Sequence, residues 1–203
     1  MKIRLENEND YLEVEKLHRN AFWNIYLPGA YEHYIVHNLR KDDSYMKNLG
    51  FVIENESKII GNINYSKGKI NYENSSIDAV VLGPLAIDEK YQNQGLGSKL
   101  INHTLKLAKN DKIPFIIVIG DENYYSRFGF QSASKYNIYL EGTDLNDENP
   151  FFMIKIFEEE KISKEKGIFQ NPEVFNVDEN KVDDFDKQFE YKEKLVQEGQ
   201  LGV

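Results

Sequence analysis

The chain has 203 residues, of which 40% are hydrophobic and 29% are charged, so it can form one domain with a substantial core. It contains no cysteine, which excludes disulfides, thiolate metal sites and a cysteine nucleophile. Its net charge of −9 and isoelectric point near 5.0 argue against a nucleic-acid partner, and no run of about 20 apolar residues predicts a membrane span.

The first third of the sequence predicts a strand, two helices and a β-hairpin. Leu12, Leu17 and Phe22 recur at the spacing of one helical face, and Pro28-Gly29 interrupts the helical pattern. Two apolar runs separated by a polar turn indicate the hairpin. The predicted elements are the strand 2–5, the helices 10–23 and 30–40, and the hairpin 51–65 with its turn at 55–57.

The middle of the sequence predicts a strand, a loop, a helix and a second strand. The first strand, 77–87, contains Gly83-Pro84. Because proline cannot donate a hydrogen bond to a neighbouring strand, we expect a bulge or a local splaying of the sheet there. A polar loop at 88–94 leads into an amphipathic helix at 95–110, and the apolar run 115–119 is typical of a buried strand.

The remainder of the chain predicts short elements and then a change of composition. The sequence becomes strongly charged after residue 157, which is typical of solvated surface. We therefore predict a domain at residues 1–157 and a C-terminal extension at 158–203 that packs on the same domain. The predicted elements are a short helix 123–128, strands 137–140 and 151–157, an irregular segment 167–177 and a terminal helix 182–197.

The loop and first helical turn at residues 92–98 are predicted to bind phosphate. The first N–H groups of a helix lack internal acceptors, and the helix dipole adds partial positive charge there. Gly95 and Gly97 allow a ligand to approach the backbone closely. A dinucleotide fingerprint fails because Leu100 stands in place of its third glycine, and the order Ser98-Lys99 does not fit a P-loop.

Two stretches resemble the GNAT family of N-acetyltransferases. Gln92-Asn93-Gln94-Gly95-Leu96-Gly97 matches the family signature Gln/Arg-x-x-Gly-x-Gly/Ala at every fixed position. Tyr124-Tyr125-Ser126-Arg127-Phe128-Gly129-Phe130 is similar to a second family segment and follows in the family's order. Segments within 22–40 and 167–175 resemble the YhbS-like bacterial branch of this family.

The resemblance implies an α/β fold, the GNAT acyl-CoA N-acyltransferase fold. This fold has a mixed central sheet of about six to seven strands, helices on both faces and a splayed strand pair at the cofactor site. The backbone of Leu85, Ala86 and Ile87 would pair with the pantetheine of acetyl-CoA and polarise the thioester carbonyl. The diphosphate would be bound by the N–H groups of Gln92, Asn93, Gln94, Gly95, Leu96, Gly97 and Ser98.

The resemblance also assigns proton-transfer residues. Tyr125 matches the family position of the general acid, whose phenol would protonate the departing thiolate; the alternative is a tyrosine that only orients the cofactor. Asn123 would either bind the cofactor or cap the short helix. The candidates for the base are Glu32, His33, His37, Glu54 and Asp78, of which Glu32, His33 and Asp78 are also expected at the acceptor. The spacing of His33 and His37 fits two zinc ligands, but Tyr34 replaces the glutamate of the zinc-protease motif, and we expect no metal.

We therefore expect an acetyl-CoA-dependent N-acetyltransferase that acts on a primary amine by direct attack through a tetrahedral intermediate. Two alternatives stay open, namely a non-catalytic acyl-CoA sensor and an acyltransferase with an O-acceptor or a longer acyl chain. The expected partner is a small-molecule or peptide amine, without nucleic acid or membrane, in a monomer or homodimer. An acidic N-terminus where a signal peptide would be apolar predicts a cytoplasmic protein.

Overall fold

The computed structural model describes residues 1–145 and 148–200, and within these ranges it contains nine strands and five α-helices. The described helices do not include one that is long and apolar enough to cross a membrane. In chain order the elements are β1 Lys2–Leu5, α1 Tyr11–Phe22, α2 Glu32–Leu39, β2 Phe51–Asn55, β3 Lys58–Asn71, β4 Ser76–Ile87, α3 Leu96–Asn110, β5 Phe115–Ile119, α4 Glu122–Tyr125, β6 Gln131–Ser132, β7 Ile138–Leu140, β8 Phe152–Ile156, β9 Gly167–Gln170 and α5 Glu179–Asp186.

The chain divides into two compact units, and β3, β4 and α3 contribute residues to both. The first unit comprises Met1–Asn64, Pro84–Leu100 and the described residues from Glu173 onwards. The second comprises Tyr65–Gly83 and Ile101–Pro172. The extension predicted at 158–203 is therefore shared between the units, and its last three residues lie outside the described residues.

The first unit pairs β1 with β2 and β2 with the beginning of β3, in antiparallel register. α1 and α2 pack on these strands because each helix has one apolar face. The buried residues that join helices and strands are Val14, Leu17, Val36, Val52, Ile59 and Ala86.

The second unit has the strand order β3-β4-β5-β8-β6, and β9 pairs with both β3 and β7. The β4–β5 and β7–β9 pairs are parallel, whereas β5–β8, β6–β8 and β3–β9 are antiparallel. The sheet is thus mixed, as predicted, but among the described residues it has nine strands where about six to seven were expected, because β9 pairs with β3 and β7 pairs with β9. The core of this unit is formed by Ile70, Tyr72, Ala79, Val81, Phe115, Ile117, Ala133, Ile138, Phe152, Ile154 and Phe169.

Two predictions for the C-terminal part are wrong. The segment predicted to be irregular contains β9, in which Phe169 pairs with Ile70 on β3. The terminal helix begins earlier than predicted, because the carboxylate of Asp178 accepts the N–H of Asn180 at 3.0 Å and caps α5 there. α5 also ends earlier, at Asp186, and the residues that follow are not helical but bond to other parts of the first unit.

Candidate active site

The loop that joins β4 to α3 is held by its own polar side chains. The Oδ1 atom of Asp88 accepts the N–H of Lys90 at 2.9 Å. Gln92 Nε2 donates to the carbonyl of Ile87 at 3.1 Å, and Gln94 Nε2 donates to the carbonyl of Lys90 at the same distance. Both glutamines of the signature therefore stabilise the loop through their side chains, which leaves the backbone as the group available to a ligand.

Six consecutive backbone N–H groups of this loop and the start of α3 have no hydrogen-bond acceptor among the described residues. Asn93 and Gly95 have left-handed φ angles of 59° and 77°. Lys99 N–H donates to the carbonyl of Gly95 at 3.0 Å, and Gln92 N–H, which was predicted to bind diphosphate, donates to the carbonyl of Glu89 at 3.3 Å. The row therefore begins one residue later than predicted, because the N–H groups of residues 93–98 have no acceptor among the described residues. A β-carbon on Gly95 would meet no atom within 4 Å, so the space beside this residue is open. Unpaired amides beside open space at a helix N-terminus suit a phosphate group.

The pairing of β4 with β5 stops short of this loop. Val80, Val81 and Leu82 pair with Ile116–Val118 in parallel register, and the pairing goes no further along β4. Gly83 follows with a φ of 142°, and Pro84 has no N–H to donate. The strand pair therefore separates at Gly83-Pro84, where the sequence predicted a bulge or splaying.

Leu85, Ala86 and Ile87 follow this break, and they belong to the first unit together with residues 92–98. The side chain of Ala86 is buried in the core with α1, while Leu85 and Ile87 are half-buried. The strand backbone that is predicted to bind pantetheine therefore precedes, within one continuous segment, the amides that are predicted to bind diphosphate.

The second unit contains α4 and the predicted general acid. Asp121 caps α4, because its Oδ1 atom accepts the N–H of Asn123 at 2.9 Å. The alternative that Asn123 is the cap is therefore wrong, and its amide Nδ2 lies 3.2 Å from the same oxygen. The half-buried ring of Tyr125 packs against Phe130, with 5.8 Å between ring centroids. Gly120 leaves room for this ring, since a β-carbon there would lie 2.6 Å from Tyr125 Cε2.

Glu32 is the first residue of α2, and its carboxylate combines a raised pKa with the lack of a paired cation among the described residues. Its Oε2 atom accepts the N–H of Tyr31 at 3.1 Å. In residues 1–145 and 148–200 no cation lies within ion-pair distance of it. Burial raises the pKa of Glu32 to about 6, although hydrogen bonds from the backbone oppose this shift. A carboxylate with such a pKa can accept a proton near neutral pH.

His33 is fully buried in the first unit, beneath the C-terminal part of the chain. Its Nε2 atom lies 3.2 Å from Asp186 Oδ1, without the geometry of a hydrogen bond. The rings of Phe185 and Phe189 lie 5.5 and 5.6 Å from its own. Burial lowers the pKa of His33 to about 4, so the ring is neutral at pH 7, and it has no exposed surface with which to meet an acceptor.

The other candidates for the base have different surroundings. Glu54 forms an ion pair with Arg4 at 2.6 Å, and His37 Nδ1 lies 2.9 Å from Glu15 Oε1. Asp78 is exposed on the part of β4 that belongs to the second unit. The described part of the chain also contains no group of three histidine or carboxylate side chains that could hold a metal ion. Glu32 is therefore the half-buried candidate whose carboxylate is not paired with a cation of the described residues.

Comparison with known proteins now identifies the family. Residues 47–132, from just before β2 to β6, match the family model of the acetyltransferase (GNAT) domain. The uncharacterized N-acetyltransferase YhbS of Escherichia coli K12 is 31% identical over 139 residues, which cover 68% of this chain and 78% of that protein. The chain belongs to the GNAT family of acetyltransferases.

Solved GNAT structures agree with this assignment. YhbS of Escherichia coli in complex with CoA has a TM-score of 0.72 and 26% identity, over 87% of this chain and 92% of that one. A GNAT acetyltransferase of Brucella melitensis in complex with acetyl-CoA has a TM-score of 0.65, and the match covers 86% of this chain and 97% of that one. Because the two sequences are only 22% identical, this match shows a similar fold alone. The predicted GNAT fold is confirmed.

The sequence did not predict the contacts that attach the C-terminal part to α1 in this GNAT protein. Arg19 on α1 forms two hydrogen bonds with Asp186 on α5, of 2.5 and 2.9 Å. Trp23 Nε1 donates to the carbonyl of Glu193 at 2.9 Å. These partners lie about 170 residues apart and carry no local pattern that could reveal them.

Asn24 is the centre of this attachment. Its Oδ1 atom accepts the N–H groups of Gly29 at 2.8 Å and Leu195 at 3.1 Å, and its Nδ2 atom donates to the carbonyl of Glu193 at 3.0 Å. Its own carbonyl accepts Gln200 Nε2 at 3.0 Å. A left-handed φ of 60°, which asparagine tolerates better than most residues, allows one side chain to reach both segments.

Proposed function

We propose that this GNAT protein transfers an acetyl group from acetyl-CoA to a primary amine of a small molecule or protein. The observation that carries the proposal is the row of N–H groups at residues 93–98, unpaired within the described residues and beside open space at Gly95. The solved relatives that bind CoA and acetyl-CoA support the same ligand for this chain.

Main-chain groups would bind the donor. The amides of residues 93–98 hold the diphosphate, where the helix dipole favours negative charge. The backbone of Leu85, Ala86 and Ile87, beyond the end of β4–β5 pairing, meets the amides of pantetheine as an added strand would. One N–H of this strand donates to the thioester oxygen and stabilises the negative charge that develops there.

Two side chains would move protons. Glu32 accepts a proton from the attacking amine, directly or through water, as the new C–N bond forms. The C–S bond then breaks, and Tyr125 Oη donates a proton to the sulfur of the departing thiolate. The unpaired carboxylate of Glu32 supports the first role, and the match of Tyr125 to the family's acid position supports the second.

Two measurements test the proposal. Calorimetric titration with acetyl-CoA should show binding, and mixing the protein with acetyl-CoA and a panel of amines should release free thiol. Absence of acetyl-CoA binding would overturn the proposal. Tight binding without thiol release for any amine would instead favour the non-catalytic sensor, and release with alcohols alone would favour O-acylation.

A further inference from the structure

A cavity of about 510 Å³ lies within the first unit, beside residues 88–91, which lead into the amide row at 93–98. This volume is within the range of small-molecule sites. Its apolar part is formed by Leu17 on α1 and by Ile59 and Ile60 on β3, all of them buried. The cavity therefore offers a small apolar surface to a ligand of few atoms.

Positive charge is concentrated around this cavity. Four lysines line it, namely Lys16, Lys58, Lys90 and Lys192. As far as the structure describes the chain, none of the four forms an ion pair. The whole sequence has 34 acidic and only 25 basic residues, whereas four lysines and three carboxylates line this cavity, so the lining has a local excess of one positive charge that a bound anion would neutralise.

Negative charge is also present in the cavity. The carboxylate of Asp88 is already engaged by the N–H of Lys90. Glu13 and Glu89 line the cavity too, are exposed, and form no ion pair with the residues that the structure describes. A ligand with groups of both signs would satisfy these side chains better than a simple anion.

Lys192 is the one of these lysines that is partly buried and fixed in position. Its Nζ atom donates to Asn20 Oδ1 at 2.6 Å and lies 5.8 Å from the centroid of Trp23. The neighbouring carbonyl of Glu193 is bonded by Trp23 and Asn24, so the backbone next to Lys192 is also held in place. Burial and the nearby charge of Arg19 lower the pKa of Lys192, and an anion beside it would stabilise its ammonium group.

We infer that this cavity binds a small zwitterion, a molecule with a carboxylate or phosphate and an ammonium group on a short apolar body. Lys192 and Lys58 bind the anionic group, Glu89 binds the ammonium group, and Leu17 and the two isoleucines contact the apolar body. Glu32, the proposed base, does not line the cavity. The inference therefore concerns binding at this cavity and does not rest on the proposed function.

Calorimetry on the full chain tests the inference with matched probes. The probes are L-leucine, 3-methylbutylamine, which lacks its carboxylate, and 4-methylpentanoate, which lacks its ammonium group; O-phosphoethanolamine represents phosphate zwitterions. A zwitterion should bind about tenfold more tightly than either single-charge analogue, because it gains a second charged hydrogen bond. Lys192→Gln should remove the preference for leucine over the amine, and Glu89→Gln the preference over 4-methylpentanoate.

Two further variants make the result decisive. Lys58→Gln leaves the contact between Lys192 and Asn20 intact and should also weaken the binding of leucine. Lys106→Gln, at an exposed position on α3, should leave the affinity for leucine unchanged. No heat with either zwitterion up to about 10 mM, or equal affinity in Lys192→Gln and the original chain, would overturn the inference. Normal CoA binding in that case leaves the proposed function intact, and zwitterion binding without CoA binding overturns only the proposed function.

Discussion

Gly95 combines a left-handed φ of 77° with open space where a side chain would begin. Alanine at this position would be strained without any clash, at a cost of about 1–2 kcal/mol. We expect Gly95→Ala to weaken acetyl-CoA binding in calorimetry, because the loop relaxes and its amides lose their arrangement.

A matched control exists at Gly142, where φ is 81° and the space is equally open. Gly142→Ala should lower stability by a similar amount in urea denaturation and leave cofactor affinity unchanged. Equal loss of affinity in both variants would show that the effect of Gly95→Ala is a general loss of stability.

Tyr125 is expected to act through its hydroxyl and not through its ring. Tyr125→Phe retains the packing against Phe130 and should lower the rate of thiol release about 100-fold, with the Kd for acetyl-CoA little changed. Steady-state kinetics and calorimetry measure the two effects separately. Tyr124→Phe, at the neighbouring half-buried tyrosine, should keep full turnover, and undiminished turnover of Tyr125→Phe would remove Tyr125 from the mechanism.

Glu32 should affect activity and stability in opposite directions. Its pKa is raised from 4.5 to about 6, so the protonated form stabilises the fold below about pH 4.5, and this contribution is lost as pH rises through 6. At pH 7.5 Glu32→Gln removes a half-buried, desolvated charge and should stabilise the protein by about 1–2 kcal/mol. If Glu32 is the base, the same variant should lose most turnover and the rise of kcat/KM with pH near 6.

The control for this variant is Glu54→Gln. Glu54 is paired with Arg4, so its replacement should lower the melting temperature slightly or not at all and should never raise it. Calorimetric melting at pH 5 and pH 7.5 compares the two variants. Full turnover in Glu32→Gln would exclude Glu32 as the base.

At the scale of elements, the segment after α5 depends on side-chain-to-backbone bonds. Asn24→Ala removes two of them together with the bond to Gly29 and places alanine at a φ of 60°, so we expect a loss of about 2–4 kcal/mol in unfolding free energy. Hydrogen exchange at the amide of Leu195 should become faster. Asn24→Asp retains the acceptor oxygen and should have a smaller effect; unchanged exchange in both variants would contradict this account.

The elements that the sequence predicted correctly are those with a local signal. α1, α3 and the β2–β3 hairpin each have a periodic apolar pattern and a glycine or polar turn at a boundary. β9 could not be predicted, because four residues of ordinary composition become a strand by pairing with β7 and with β3, the latter about 100 residues earlier. The length of α5 was wrong for a related reason, since residues after Asp186 bond to Asn24 instead of continuing the helix.

In the candidate site, too, features of one continuous segment could be predicted from the sequence, whereas features that depend on the folded chain could not. The amide row at 93–98 was predictable from a six-residue signature, because its chemistry belongs to the backbone of one continuous segment. The side-chain roles of Gln92 and Gln94 in bracing the loop were not, since a sequence does not show where a flexible amide turns. The zwitterion cavity was not predicted either, because α1, β3 and Lys192 meet there only in the folded chain.

At the scale of the whole molecule, the net charge of −9 opposes the approach of an anionic cofactor. If neutral amides and not a lysine patch bind the diphosphate, salt should screen this repulsion and raise the association rate of CoA. Stopped-flow measurements at about 20 and 200 mM NaCl test this, since the Debye length shortens from about 20 Å to below 10 Å. A rate that falls with salt would indicate that cations steer the cofactor instead.

Trp23 is the only tryptophan in the chain, and its indole N–H is bonded to the carbonyl of Glu193. The tryptophan emission of the protein, excited selectively over its 13 tyrosines, therefore comes from the contact between the end of α1 and the C-terminal residues. Release of those residues would expose the indole to water and shift its emission to longer wavelength. The emission wavelength of Trp23 therefore indicates, without any label, whether the C-terminal residues are bound to α1. It can be followed during a ligand titration or a turnover experiment.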